Sequence, residues 1–268
     1  MKIVKINSIE ELITIINTYP RNFAFRGQSC FDWGLNSSLE RTVPNQSDRR
    51  SFEEHSLDQF RSKFKVYSKD VDMPGKKLSW LSLMQHYGVP TRLLDFTTSP
   101  YVALYFAIET LNPINDKYLA LYAIDYTALV EKSCQYVLAK DLSFEEYSGS
   151  QKFYKRCEDA FDKYLDNSSH DVLWFVDPLQ LNNRLEQQAG TFLISGPFNK
   201  SIEELLNLDI YSTVRMEKIC ISQKFYKNIY ALLRKVNIGP KNIYGDLHGL
   251  AMDIQLEMRV FNTQCSLR

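Results

Sequence analysis

The sequence predicts a single α+β domain over residues 1–268, in which a small mixed or antiparallel sheet is flanked by helices. Three observations lead to this prediction. Short apolar stretches of strand-like period are interspersed with longer amphipathic stretches of helical period. Hydrophobic residues make up 44% and aromatic residues 13% of the 268 residues, which is enough for a large core. Neither an internal repeat nor a Gly/Ser-rich linker divides the chain.

The first predicted elements are a strand over residues 3–6 and a helix that follows it. Ser8 has the position of the N-cap, and Glu11 has that of its capping-box partner. The next strand is FAFRGQ, residues 23–28, where phenylalanines alternate with other residues. This alternation places Arg26 on the face opposite the two phenylalanine rings.

Two further helices and a strand are predicted next. One helix covers approximately residues 50–68, and the other begins near Lys77 and ends before Gly88 and Pro90. The apolar stretch TRLLDF, residues 91–96, is predicted as a buried strand.

A fourth helix begins after Ser99, which is its predicted N-cap, with Pro100 at the favoured first helical position. The C-terminal half alternates strands and helices in the same way, and a charged, Tyr/Phe-rich stretch at about 140–171 is predicted as a helical insertion. The remaining predicted elements are strands at 118–125, within 171–178, after Gly190 and at 218–222, and helices at 227–238 and after the turn in 243–255.

Composition limits the classes of function. The 32 Lys and Arg balance the 32 Asp and Glu, so the formal net charge is zero, which disfavours binding through a broad basic surface and a polybasic membrane anchor. The five cysteines form no CxxC pair and the four histidines no metal-ligand spacing, so no disulfide framework and no metal site is predicted. No apolar run approaches the roughly 20 residues of a membrane span. We expect a reduced, soluble, cytoplasmic protein without membrane contact.

The motifs that most often identify an enzyme are absent. The sequence contains no GxxxxGK[ST] or GxGxxG phosphate loop, no HExxH zinc motif and no GxSxG nucleophile elbow. Chemistry must therefore be sought in less familiar segments.

The first such segment is FRGQS, residues 25–29. An arginine at a strand end beside a glycine can present its guanidinium to a phosphate or carboxylate while a ligand approaches the backbone closely, which assigns Arg26 and Gly27 to binding. The alternative is that Arg26 pairs with a buried carboxylate such as Asp95.

The second segment is residues 85–107, where many polar groups fall within a short span. The helix after Ser99 offers free backbone N–H groups and a positive dipole end, which suit an anion. In the alternative interpretation Thr98 and Ser99 merely cap this helix, and Arg92 and Asp95 form a structural pair. The polar residues concerned are His86, Tyr87, Arg92, Asp95, Thr97, Thr98 and Ser99.

The third segment is RLEQQAGTFLISG, residues 184–196. Gln188 stands two residues before Gly190, so its amide lies next to a break in the backbone, where it could bind a ribose hydroxyl or polarise a leaving group. The alternative is a hairpin or bulge with solvent-facing polar residues.

With these residues in hand, the chain resembles the FRG domain family, which is named after the tripeptide found here at Phe25, Arg26 and Gly27. The resemblance is strongest over residues 85–107, it continues through RLEQQAGTF and GDLHGLA, and it covers most of the chain. Phe96 stands where the family commonly has Trp, and Leu247-His248 interrupts a usually acidic turn. A further stretch similar to the family's W-x-L-x-x-S-L-x-R comprises Trp33, Leu35, Ser38, Leu39 and Arg41.

The order of elements is also similar to ADP-ribosyltransferase folds with an early Arg, a central Ser/Thr segment and a late Glu. This resemblance implies an ADP-ribosyltransferase-like fold in which Arg26 contacts the phosphates or ribose of NAD. Residues 97–99 would correspond to the Ser/Thr segment, and Gln188, or less favourably Glu186, to the late carboxylate. A glutamine there can hold the ribose by hydrogen bonds but supplies no negative charge.

The function these resemblances imply is that of an NAD-using ADP-ribosyltransferase-like effector of the toxin or phage-defence type. The enzyme would be a transferase or an NAD glycohydrolase that acts by substitution at the nicotinamide ribose, with NAD as substrate and a protein or nucleic acid as acceptor. The predicted catalytic residues are Arg26, His86, Thr98 and Gln188, and the predicted NAD-binding residues are Arg26, Gly27, Arg92, Asp95, Thr97 and Ser99.

Two alternatives stay open. One is a module that binds a nucleotide or nucleic acid without turnover, which the glutamine at position 188 favours. The other, ranked below it, is a metal-independent nuclease that uses His86 and Asp95 for acid–base catalysis.

Overall fold

The computed structural model describes residues 1–68, 73–111, 117–166, 170–176 and 187–265. Within these residues seven strands form one open sheet. The strands are β1 (Lys2–Lys5), β2 (Phe23–Gln28), β3 (Leu94–Thr97), β4 (Tyr118–Asp125), β5 (Leu173–Val176), β6 (Gly190–Ser195) and β7 (Met216–Ser222).

The strand order across the sheet is β1-β7-β4-β2-β3-β6-β5. The edge strand β1 runs parallel to β7, and the other neighbouring pairs are antiparallel. The sheet is therefore mixed, as predicted, but with seven described strands it is larger than the small core that was expected.

Helices lie on both faces of this sheet. The α-helices of the described residues are α1 (Ile9–Asn17), α2 (Ser38–Thr42), α3 (Arg49–Tyr67), α4 (Lys77–His86), α5 (Pro100–Ile108), α6 (Tyr126–Leu138), α7 (Ser150–Lys155), α8 (Cys157–Ala160), α9 (Ile202–Leu206), α10 (Tyr226–Lys235), α11 (Pro240–Tyr244) and α12 (Leu247–Cys265). Single turns of 3-10 helix occur at Gln46–Asp48, Asp209–Tyr211 and Gln223–Phe225, a longer 3-10 segment at Leu142–Tyr147, and a π-helix at Phe161–Leu165. None of the described helices is both long enough and apolar enough to cross a membrane.

Strand β4 shows why the sheet is buried on both sides. Its residues Leu119 and Leu121 belong to the core that contains α1, α5 and α10, whereas Tyr122 and Ile124 belong to the core that contains α3, α4 and α6. A strand covered on both faces gains from apolar residues at every position, which explains the uninterrupted apolar run YLALYAI at 118–124.

The predicted helix starts are confirmed where local hydrogen bonds decide them. The Ser8 hydroxyl accepts the backbone N–H of Glu11 at 3.1 Å, and the Glu11 carboxylate accepts the N–H of Asn7 at 2.8 Å. Ser99 caps α5 by accepting the N–H of Val102 at 3.4 Å, and Pro100 occupies the first helical turn. Such caps need only residues within four positions of each other, so sequence alone can predict them.

The segment predicted as a helical insertion contains short helices between Leu142 and Leu165. Its aromatic side chains are buried in the core beside β5, where the rings of Phe153 and Trp174 stack with centroids 4.7 Å apart. The described part of the segment is thus a structural layer of the core.

The backbone of Gly27 lies against helix α5. A Cβ atom at Gly27 would be 1.8 Å from the carbonyl oxygen of Ala103 and 2.8 Å from the amide nitrogen of Ala107. Both are main-chain atoms of a buried helix, so they cannot move aside as a flexible side chain could. This contact sets how closely α5 packs on β2.

Strands β2 and β3 meet at one position and then separate. Phe25 pairs with Thr97, and no further pair joins these two strands in the described residues. Beyond it, the Nη1 atom of Arg26 donates a 2.6 Å hydrogen bond to the backbone carbonyl oxygen of Asp95. A side chain thus spans a gap where two adjacent strands would ordinarily exchange ladder hydrogen bonds.

Replacing Gly27 by alanine tests the packing of α5 on β2. We expect Gly27→Ala to lower the free energy of unfolding by about 3 kcal/mol or more, because overpacking here strains main-chain atoms. Urea denaturation followed by circular dichroism measures this loss. Gly75→Ala is the matched control, since a Cβ there has no atom within 4 Å; equal stability of the two variants would contradict the assignment.

Candidate functional site

A cavity of about 290 Å³ lies where β2 and β3 separate. Its walls come from β2, β3, β6, α4, α5 and the turn before β6. Four phenylalanines line it: Phe25, Phe96, Phe106 and Phe192. Its polar lining consists of Arg26, Ser82, Gln85, His86, Asp95, Thr97 and Gln188. Residues from three distant parts of the chain therefore converge on one cleft.

Arg26 is the cation of this cavity. Its Nη1 is engaged by the carbonyl of Asp95, whereas its buried Nε atom has no hydrogen-bond partner among the described residues. Burial lowers the pKa of Arg26 below its usual value, the negative charge of Asp95 opposes this, and the positive charge of Arg41 adds to it. A half-buried guanidinium with an unused donor is suited to an anionic group of a ligand.

Asp95 and Gln85 form a hydrogen-bonded pair at the cavity. The Nε2 atom of Gln85 donates to Oδ1 of Asp95 at 2.6 Å, and the Oε1 atom of Gln85 accepts the hydroxyl of Thr91. Since Thr91 occupies the amide oxygen, the amide nitrogen is directed to Asp95. The Asp95 side chain, which is exposed, is thereby held in one orientation.

The turn that carries Gln188 is fixed to β3. The Thr97 hydroxyl donates to the carbonyl of Gln188 at 2.7 Å, and the backbone N–H of Thr98 donates to the carbonyl of Ala189 at 2.9 Å. The buried Nε2 atom of Gln188 has no partner within the described ranges. A buried amide N–H left without an acceptor costs roughly 1–3 kcal/mol, so a ligand oxygen at this atom would be stabilised.

The backbone break near Gln188 lies at Ala189 and not at Gly190. Ala189 has φ of 46°, a left-handed conformation that costs an L-residue about 1 kcal/mol, whereas Gly190 is the first residue of β6. The described part of this segment is a tight turn at residues 187–189 that leads into β6, and residues 184–186 lie outside the described residues.

Thr98 and Ser99 do not line the cavity. The Ser99 hydroxyl caps α5, its backbone N–H donates to the Thr97 hydroxyl at 3.0 Å, and Thr98 is exposed. For these two residues the geometry favours the alternative interpretation, in which they organise the start of α5. Of residues 97–99, Thr97 is the one that lines the cavity.

Arg92 also lies away from the cavity, in a buried ion-pair network. Its Nε atom lies 3.0 Å from Oε2 of Glu53, and its guanidinium also pairs with Asp166, which Lys77 contacts at 2.7 Å. The aromatic ring of Phe198 covers the guanidinium at 4.2 Å. These contacts favour a structural role over the predicted contact with phosphate.

The predicted structural pairs are accordingly corrected. Arg92 pairs with Glu53 and Asp166, not with Asp95, and Arg26 contacts the main-chain carbonyl of Asp95. Sequence could not indicate these partners because each lies far along the chain.

Six of the predicted residues meet at the cavity and three do not. Glu186 falls outside the described residues. The cavity includes Arg26, Gly27, His86, Asp95, Thr97 and Gln188, whereas Arg92, Thr98 and Ser99 lie elsewhere.

Several residues that line the cavity were not predicted from the sequence. Gln85 precedes His86 at the C-terminal end of α4. It is the first residue of the stretch 85–107, where the resemblance to the FRG domain family is strongest, and this membership is the signal that could have indicated it. Phe106 and Phe192 read as ordinary core residues because apolar periodicity does not distinguish a cavity wall from a filled core. No group of three or more His, Cys, Asp or Glu in the described ranges is arranged to hold a metal ion.

The FRG domain family matches residues 21–116. The resemblance to the FRG domain family is confirmed over that part of the chain. The match covers β2 to α5 and includes the tripeptide at 25–27 as well as Arg41 and Asp95. Gln188 and the GDLHGLA stretch lie outside the match, so their resemblance to the family stays a prediction. No curated protein and no solved structure matches the chain, and the resemblance to ADP-ribosyltransferases receives no support from these comparisons.

The FRG tripeptide has a physical explanation in this fold. Phe25 packs in the core of α5, Arg26 enters the cavity, and Gly27 admits the backbone of α5. Each of its residues thus serves a different contact.

The Arg92 network generates a prediction on acid stability. Burial raises the pKa of Asp166, but the charges of Arg92 and Lys77 lower it more, so its pKa falls below the ordinary 3.8. Asp166 therefore stabilises the fold above that value, and the contribution is lost as the pH falls through the lowered pKa. We expect Asp166→Asn to cost about 3 kcal/mol at pH 7 and less at a pH below the ordinary 3.8, where part of the contribution is already lost.

Urea unfolding at the two pH values measures this difference. Asp159→Asn, which removes an exposed carboxylate paired with Lys76, is the control and should cost no more than about 1 kcal/mol. A loss in Asp166→Asn that is independent of pH would contradict the charge-based explanation.

The strained turn yields a second prediction. Ala189→Gly should raise the free energy of unfolding by about 0.5–1 kcal/mol, because glycine adopts positive φ without steric cost. Ala251→Gly, in the exposed interior of α12, should lower it by about 1 kcal/mol. Thermal denaturation compares the two, and destabilisation by both would argue against strain at Ala189.

Proposed function

We propose that the cavity binds the nicotinamide–ribose end of NAD and that the protein is an ADP-ribosyltransferase or NAD glycohydrolase. The observation that carries the proposal is the convergence of Arg26, Asp95 and Gln188 on one phenylalanine-lined cavity. A cation for phosphate, a carboxylate, an amide for sugar hydroxyls and aromatic surface for a ring are the groups such a ligand needs. The cavity volume of about 290 Å³ suits part of a dinucleotide.

In this proposal Asp95 supplies the negative charge that Gln188 lacks. The bond between the anomeric carbon and nicotinamide breaks, and its electron pair leaves with nicotinamide. The carboxylate of Asp95 stabilises the oxocarbenium-like transition state. Water or an acceptor group then adds to the anomeric carbon, and His86 accepts the proton that this water or acceptor group loses.

Other groups would position the substrate. The Nε2 atom of Gln188 would donate to a ribose hydroxyl, Arg26 would contact a phosphate, and Gln85 would keep the Asp95 carboxylate in place. Consumption of NAD, or modification of a macromolecule, is chemistry that suits the toxin or phage-defence role expected from the sequence.

One observation favours a second candidate, a module that binds a nucleotide without turnover. The residue that resembles the late carboxylate is the amide Gln188, and the oxygen Oδ1 of Asp95 is already hydrogen-bonded to Gln85. This module would bind NAD or another nucleotide through Arg26 and release no product.

Measurement of NAD binding and nicotinamide release separates these functions. We expect Asp95→Asn to reduce nicotinamide release by at least about 100-fold, because charge stabilisation in a transition state is worth about 3 kcal/mol, and to leave the Kd for NAD nearly unchanged. Calorimetry gives the Kd, and chromatography of the products gives the rate, with and without protein and RNA acceptors.

Thr98→Ala is the matched control, since Thr98 lies outside the cavity, and it should retain both properties. NAD binding without nicotinamide release in the wild type would favour the second candidate. Absence of NAD binding would contradict the proposed function.

A further inference from the structure

A second, smaller cavity shares three polar residues with the first. Arg26, Gln85 and Asp95 line both, and Ser38 and Arg41 of α2 contribute to the second. Its volume is about 110 Å³, well below the roughly 300–1,000 Å³ of sites that enclose a whole small molecule. The space suits one charged group of a ligand that extends from the first cavity.

Two guanidinium groups meet at this second cavity, and both contact main-chain carbonyls. Arg26 donates to the carbonyl of Asp95 at 2.6 Å, and Arg41 donates to that of Asn36 at 2.5 Å. Neither forms an ion pair with a carboxylate in the described part of the chain. Burial is the main cause that lowers the pKa of Arg26, the negative charge of Asp95 opposes this, and the like charge of Arg41 adds to it. An anion between the two groups would relieve their repulsion.

Helix α2 holds Arg41 in this position. The hydroxyl of Ser38 donates to the backbone carbonyl of Thr91 at 3.1 Å and accepts a hydrogen bond from the backbone N–H of Thr91 at 3.0 Å. The backbone N–H of Leu39 also donates to the carbonyl of Thr91, at 3.0 Å. A capping box between Ser37 and Glu40 closes the start of the helix. The backbone that carries Arg41 is thus anchored to the turn after α4, which reduces the entropy lost when its side chain binds an anion.

We propose that the second cavity is a phosphate subsite, in which Arg41 and Arg26 together bind a phosphate group of the nucleotide whose ribose end occupies the first cavity. The identity of that nucleotide rests on the proposed function. Because Arg26 lines both cavities, a dinucleotide would run from the phenylalanine-lined cavity past Arg26 towards α2. The subsite also gives a role to Arg41, the last residue of the stretch that begins at Trp33.

The test compares ligands with and without phosphate on the full chain. NAD, ADP, pyrophosphate and nicotinamide riboside are titrated by calorimetry into the wild type and into Arg41→Gln. We expect Arg41→Gln to raise the Kd for NAD, ADP and pyrophosphate about tenfold, because the variant loses one charge-assisted hydrogen bond to phosphate. The Kd for nicotinamide riboside, which has no phosphate, should change by less than about twofold. Arg41→Lys should recover part of the affinity, since it keeps the charge but not the planar fork.

Arg21→Gln is the matched control, because Arg21 is an exposed arginine that lines neither cavity, and it should bind every ligand as the wild type does. Circular dichroism melting confirms that each variant is folded.

Failure of the subsite and failure of the proposed function give different results. Dependence of ADP and pyrophosphate binding on Arg41 without NAD turnover would retain the subsite and reject the enzyme. An unchanged Kd for NAD in Arg41→Gln, an equal loss for the riboside, or no binding of any phosphate ligand by the wild type would overturn the subsite.

Discussion

The close contact between the backbone of Gly27 and helix α5 is the constraint on which the site depends. With any side chain at this position the carbonyl of Ala103 would overlap a Cβ atom, so α5 could not lie directly on β2. In the observed position α5 directs Phe106 into the cavity and begins immediately after Thr97 and its neighbours. Because Gly27 has no side chain, β2 from the early part of the chain can pack directly against α5 from the central part.

β2 and β3 separate after one pair, and the cavity forms between them. Main-chain groups released from a ladder need other partners, and Arg26 provides one by donating to the carbonyl of Asp95. A half-buried guanidinium without an ion pair loses part of its hydration, and an anionic ligand would offset that cost. Arg26 is thus at once a substitute for sheet hydrogen bonds and the cation of the proposed binding site. The same position explains why it lines two cavities.

Local chemistry was predictable, and the partners of buried charges were not. Ser8 and Ser99 cap helices as expected because each needs only a backbone N–H about three positions away. Arg92 was expected to contact a ligand, yet it pairs with Glu53 and Asp166 from distant elements. The residues next to Arg92 in the sequence do not indicate those partners. By contrast, Asp95 and Thr97 lie in a short stretch rich in polar residues, and both line the cavity.

The sequence by itself determined the alternation of strands and helices, the helix caps, the FRG tripeptide and the segments in which the site residues lie, because each follows from side-chain type and spacing over a few residues. Tertiary structure alone decided which of those residues meet. It brought Gln188 to Thr97, excluded Arg92 and Thr98 from the cavity, and placed Arg41 beside Arg26. The physical reason is that a cavity is made where strands fail to pair and a helix packs closely, and both events depend on contacts between residues far apart in the chain.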